Sequence, residues 1–84
     1  MSEVNVKYRS VLAKLTGMAE EKMEARDVDG VLKEIKTRHG REAEKIARAM
    51  LITLNEESIL LQKRFKTVLS AGDTISFFPL GAGG

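Results

Sequence analysis

The sequence predicts an α+β domain, a sheet of about five strands beneath one main covering helix. Three observations carry that reading. Glu3 to Arg9 alternates apolar and polar residues with the period of two that marks a half-buried strand. Val28, Val31, Leu32 and Ile35 fall at the i, i+3, i+4, i+7 spacing of an amphipathic helix. The order of elements is strand, strand, helix, strand, strand, strand, which no simple parallel α/β repeat produces.

The first strand puts Val4, Val6 and Tyr8 on one face and Asn5, Lys7 and Arg9 on the other. Ser10 to Leu15 reads as a short helical turn, with Ser10 placed to cap it and Gly17 to end it. Ala19 to Arg26 alternates again. Ala19, Met23 and Ala25 point inward there, and Glu20, Lys22, Glu24 and Arg26 outward, a charge load that suits an edge strand. Asp27 is a good N-cap for the helix that follows. Lys36 and Arg38 sit in that helix's last turn, where cations favour the negative end of the dipole, and Gly40 lies just beyond as a stop signal. Ala43, Ile46, Ala47 and Met50 repeat the helical spacing and predict a second helical stretch.

Leu51-Ile52-Thr53-Leu54 is apolar and β-rich, suited to a central strand. Asn55 to Ser58 supplies turn chemistry, and Ile59 to Gln62 is expected to be the returning arm of a hairpin. Lys63 to Thr67 has no period and reads as loop. Ser70-Ala71-Gly72-Asp73 reads as a turn that launches the last strand, Thr74-Ile75-Ser76-Phe77-Phe78. Ile75 and Phe77 share one face of it and Thr74, Ser76 and Phe78 the other, so Phe78 is aimed away from the core.

Beyond that strand come Pro79-Leu80-Gly81-Ala82-Gly83-Gly84. Residues 1–78 are expected to form the domain and 79–84 a flexible tail, because glycine has the most conformational freedom to lose on ordering. Six extended residues reach roughly 20 Å at ~3.3–3.6 Å each, enough to deliver the terminal carboxylate into a deep pocket of another protein. That carboxylate, on Gly84, is ionised at neutral pH and a poor electrophile until activated. Glycine-rich ends are also common as plain disordered termini, so the tail alone supports either a substrate for an activating partner or an incidental end. A phosphate-cradling loop fits poorly, since that motif needs a helix after its glycines.

Length and composition narrow the field. At 84 residues one domain with a small core is expected. There is no cysteine, so any thiol chemistry must come from a partner. With no signal-peptide pattern before Val4, the same absence predicts a reducing, cytoplasmic compartment. No apolar run approaches the ~20 residues that cross a bilayer, so no membrane span is expected. A net charge of +2 is too slight to argue for nucleic acid. The cations between Arg38 and Arg48 and between Lys63 and Lys66 have one aromatic among them, Phe65, short of the series of interleaved aromatics of a single-strand binder, and read as a solvated face. His39, the only histidine, stands beside Gly40 at a helix end and reads as a terminal cation rather than a ligand, and no metal site is expected. The Glu20-Glu21 and Glu56-Glu57 pairs are adjacent in sequence, so their side chains diverge and read as solvated charges, not as an acid/base couple.

Three segments resemble the β-grasp sulfur carriers, which include the molybdopterin synthase small subunit, the thiamine sulfur carrier and related ubiquitin-like proteins. Tyr8 to Gly17 resembles the molybdopterin-type strand-to-helix segment. Leu69-Ser70-Ala71-Gly72-Asp73-Thr74-Ile75 resembles its Leu-x-x-Gly-Asp turn, and Phe77 to Gly84 its terminal strand and Gly-Gly tail. Departures concern the pathway more than the class: Arg9 and Ala13-Lys14 stand where the molybdopterin type usually has an aromatic and Arg-Glu, and Leu80-Gly81 replaces the more usual Pro-Val. The thiamine type fits least, because it normally lacks a segment like Ser10 to Gly17.

The resemblance implies a β-grasp fold with a mixed sheet and a non-catalytic carrier. In that family a ubiquitin-activating-like enzyme uses ATP to adenylate the terminal glycine, and a sulfur donor then gives the thiocarboxylate. Gly84 would be the substrate carbon, with Gly83, Ala82 and Gly81 as the slim approach to it, and no cofactor would be bound to the carrier itself. Phe78, Pro79, Leu80, Ile59 and Leu61 are the expected partner-binding residues, and a molybdopterin synthase large subunit is one candidate partner. Sulfur delivery to a molybdopterin-type cofactor is the leading expectation. The alternative is a ubiquitin-like modifier joined to lysines through Gly84, and a third reading is a nucleic-acid or regulatory module with an incidental tail.

Overall fold

The computed structural model describes residues 1–80. In chain order its elements are β1 (Ser2–Lys7), α1 (Val11–Thr16), β2 (Glu20–Ala25), α2 (Val28–His39), α3 (Arg41–Arg48), β3 (Leu51–Leu54), β4 (Glu57–Ser58) and β5 (Thr74–Phe78). Single 3₁₀ turns at Ile59–Leu61 and Arg64–Lys66 bridge β4 to the last strand. The strands form one sheet in the order β2-β1-β5-β3-β4. β1 and β5 run parallel at its centre and the other pairs are antiparallel, which makes the sheet mixed.

The period of two fixes which face is buried. Val4 and Val6, Met23 and Ala25, Ile52 and Leu54, and Ile75 and Phe77 all bury against α2 and α3. Val28, Val31, Leu32 and Ile35 return that contact from α2, and Ala43 and Ala47 from α3. Phe77, Leu12, Leu32, Ile35 and Ile75 are among the largest fully buried side chains, each contributing about 1.5–3 kcal/mol of transfer free energy. The Asp27 side chain caps α2 by accepting from the Gly30 amide at 2.8 Å. At Gly40 (φ 101°) α2 stops and α3 starts, a backbone conformation that L side chains rarely adopt. Among the described residues no helix is long and apolar enough to cross a membrane.

Several expectations are corrected. Ile59 to Gln62 is not a returning strand. The hairpin turns on Asn55 and Glu56 alone, β4 is two residues long, and the Ser58 hydroxyl accepts from the Leu60 amide at 3.1 Å to start a 3₁₀ turn that drives Ile59 into the core. Ser10 stands at the N-cap of α1 but makes no side-chain cap bond. Its backbone, at φ 58°, ψ −134°, is not in the extended conformation usual for a capping residue, while Gly17 does end the helix in the left-handed conformation. Ala19 is exposed just ahead of β2, and the inward position the sequence reading passed over belongs to Glu21.

Candidate functional site

The end of β5 is where the domain hands over to the carboxyl-terminal segment. Phe77, at 0% exposure, is the last core residue. Leu51 pairs with Phe78 and Ser76 with Lys7, so the strand's end lies between the start of β3 and the end of β1. Asp73 sets the angle at which β5 enters. Its Oδ2 accepts from the Ser70 amide at 2.7 Å and its Oδ1 from Asn55 Nδ2 at 3.0 Å, while Asn55 Oδ1 accepts from the Thr74 amide at 2.9 Å. Gly72, at φ 87°, supplies the left-handed residue of that turn. The Leu-x-x-Gly-Asp segment is therefore a clamp that ties the start of β5 to the β3–β4 hairpin.

Of the expected site residues, Gly84, Gly83, Ala82 and Gly81 lie outside the described residues. Pro79 is exposed, and Leu80 is 61% exposed. Phe78 is on the open face of the sheet as its alternation predicts, half-buried, with the Arg9 guanidinium 5.1 Å above its ring centroid. Leu61 is 78% exposed on the 3₁₀ turn. Ile59 is corrected: at 3% exposure it is a core residue, and its neighbour Leu60, 60% exposed, presents the apolar surface instead. Ile59, Leu60 and Leu80 do meet around one groove, completed by Met50, Ile52 and Phe65, with a volume of about 270 Å³.

The open face carries a second, larger concavity of about 530 Å³ beside Phe78. It is lined by Lys7, Arg9, Thr53, Ser76 and Phe78, with Asn55, Glu56 and Thr74 toward the hairpin. Strand register builds it: Lys7, Ser76 and Thr53 are direct cross-strand partners and form a polar row across β1, β5 and β3.

One charge cluster escaped the sequence reading. Glu21 faces the helices, and its carboxylate accepts from the Tyr8 hydroxyl at 2.5 Å, from His39 Nε2 at 2.6 Å and from Arg38 Nη1 at 2.9 Å. Burial pushes the Glu21 carboxyl up, but those hydrogen bonds outweigh it and hold the group below the usual carboxylate range. Burial and then the Glu21 carboxylate push the Tyr8 hydroxyl well above its ordinary value. Tyr8 also stacks on Phe77, centroids 6.1 Å apart, and meets the His39 ring edge-on at 5.8 Å. The cluster fastens the last turn of α2 to edge strand β2. The signal that could have found it is parity, since Glu21 shares the face of Met23 and Ala25. Arg38 and Arg48 are likewise each held by two carboxylates, Glu21 with Glu34 and Asp29 with Glu44.

No curated protein matches the chain in sequence. Among solved structures, small archaeal modifier protein 1 from Methanosarcina acetivorans has a TM-score of 0.88 at 23% identity, covering 100% of this chain and 98% of that one. A putative molybdopterin converting factor subunit 1 from Pyrococcus furiosus has a TM-score of 0.76 at 26% identity, covering 94% and 98%. A chain from the complex of subunits 1 and 2 of the Helicobacter pylori molybdopterin-converting factor has a TM-score of 0.71 at 22% identity, covering 98% and 99%. The ThiS family model matches residues 4–84. The chain belongs to the ThiS family, as a ubiquitin-like β-grasp protein of the sulfur-carrier type.

Proposed function

We propose that this protein is a sulfur carrier whose working group is the Gly84 carboxylate. A carboxylate oxygen attacks the α-phosphorus of ATP on a partner adenylating enzyme and pyrophosphate leaves. Hydrosulfide supplied by a donor then attacks the acyl carbon, AMP departs with the C–O bonding pair, the proton is lost to solvent, and a thiocarboxylate remains at Gly84. The chain contributes a substrate carbon and no catalytic side chain, and ATP is bound by the partner. The observation that carries the reading is the family match over residues 4–84, on a domain whose last buried residue among those described is Phe77 and in which Pro79 and Leu80 are exposed. Delivery of the sulfur to a molybdopterin-type cofactor, with a synthase large subunit as a second partner, is the route we favour. It is supported by the likeness to the Pyrococcus protein and by the Helicobacter complex.

The test is chemical. Incubation with the adenylating enzyme of the same genome, ATP and a sulfur donor should raise the intact mass by one oxygen-to-sulfur exchange, located on the carboxyl-terminal peptide. No cysteine is present to give a competing persulfide. Recovery from cells of isopeptide conjugates through Gly84, with no thiocarboxylate formed, would replace the carrier by the modifier, in which a lysine amine captures the same acyl adenylate.

A further inference from the structure

We propose that the open face of the sheet carries a carboxylate-anchoring subsite, formed by Arg9 and Lys7 over Phe78, through which this protein is recognised by an acidic side chain on its adenylating enzyme. The proposal rests on the reading of Gly84 as that enzyme's substrate and adds the chemistry of the docking contact.

Four observations support it. First, Lys7 and Arg9 line one concavity, and among the described residues neither is held in an ion pair, whereas Arg38 and Arg48 are each neutralised by two carboxylates. Second, Arg9 is positioned. Its guanidinium lies 5.1 Å over the ring of Phe78, which is itself half-buried at the end of β5. A guanidinium held over a ring as a cation keeps its charge and its N–H donors, which can meet a carboxylate in the two-pronged geometry arginine favours. Third, the row Lys7, Ser76 and Thr53 puts two hydroxyl-bearing residues beside the cations, so the floor of the concavity is polar rather than greasy. The one carboxylate lining it, Glu56, belongs to the exposed β3–β4 turn. Fourth, Phe78, which carries Arg9, is followed directly by Pro79 and Leu80, so a protein that takes the carboxyl-terminal segment into its active site sits at the end of β5, next to both this face and the groove that Leu80 lines. Two cations are enough to anchor one carboxylate and too few to track a polyphosphate backbone, which argues against a nucleic acid on this face.

The experiment is ATP–pyrophosphate exchange by the adenylating enzyme of the same genome, with the full-length chain as varied substrate. Arg9→Glu and Lys7→Glu should each raise KM roughly tenfold or more and leave kcat within about twofold, because a docking charge acts on association and not on the reacting atoms. Arg9→Lys should recover only part of the loss. The wild-type KM should climb with ionic strength, and that of Arg9→Gln should climb less. Lys22→Glu, which reverses a charge on the same face one strand away, should be close to wild type. Thermal unfolding of the Arg9 and Lys22 variants should match the wild type, since both residues are exposed, and Lys7→Glu, which sets a second carboxylate opposite Glu20, should melt only slightly lower. Wild-type KM in both reversals, or an equal loss in Lys22→Glu, overturns the subsite while the reading of Gly84 stands. No exchange with the wild-type chain overturns both.

Discussion

Glu21 shows how much of this fold is settled by single side chains. A carboxylate on the inner face of a strand is costly unless it is fully hydrogen-bonded, and Tyr8, His39 and Arg38 supply that. A carboxyl held below its ordinary value of 4.5 adds stability that is fully present above that value and is lost as pH falls through the lower, folded value. Glu21→Gln is therefore expected to lower unfolding free energy by about 1–3 kcal/mol at neutral pH. The gap to wild type should shrink as the pH drops below about 4. Urea titrations at several pH values measure this, and a gap unchanged into acid would assign the effect to packing instead of charge. Tyr8 gives the opposite limb. Its raised value means its contribution is full below the ordinary tyrosine range and is lost as pH climbs through the folded value. The sequence hid this cluster because its partners lie 13, 17 and 18 residues from Glu21 along the chain, and charge was read as a sign of solvent without regard to strand parity. Ile59 failed for the mirror reason, an apolar residue assigned to the surface when a 3₁₀ turn carries it inside.

Elements with a strong period were legible, and those held by turns were not. The strand alternation of Val4, Val6 and Tyr8 and the helical spacing of α2 and α3 appear in the structure as read, since each repeats often enough to set one buried face. β4, two residues long, has no period to read. Its position is dictated by the turn before it, where Asn55 and Glu56 both take positive φ, 51° and 73°, the two-residue pattern that matches strand twist in a hairpin. Asparagine tolerates that conformation readily, and glutamate adopts it at a cost. A left-handed L residue costs roughly 1–2 kcal/mol, and the extra unfolded-state freedom of glycine offsets part of the gain from replacing it. Glu56→Gly should therefore raise stability by about 0.5–1 kcal/mol. The denaturant midpoint should move up with an unchanged slope. A loss of stability would mean that the Glu56 side chain contributes more than its backbone costs.

At the scale of the molecule, β5 is the decisive element. It is the last strand in sequence yet lies at the centre of the sheet, parallel to β1, and that placement cannot come from local patterns because it joins the two ends of the chain. The strand order was accessible only through the resemblance carried by Leu69 to Ile75 and Phe77 to Gly84. With β5 central, the buried cluster is closed by Ile75 and Phe77, while Pro79 and Leu80 are already exposed. Stability and reactivity should therefore separate along the sequence. Removing Gly83 and Gly84 should leave the melting temperature within about 2 °C of wild type, since the buried cluster of the described residues ends at Phe77. The same deletion should abolish pyrophosphate exchange and the sulfur mass shift. Adding one residue after Gly84 should be as damaging. Reacting atoms must approach to about 3–3.5 Å, and one extended residue displaces the carboxylate by ~3.3–3.6 Å. Calorimetry and intact-mass measurement on the three chains decide the matter. Full sulfur incorporation in either altered chain would move the reactive centre away from Gly84, and a collapse of the melting temperature on deletion would place the carboxyl-terminal segment in the fold itself.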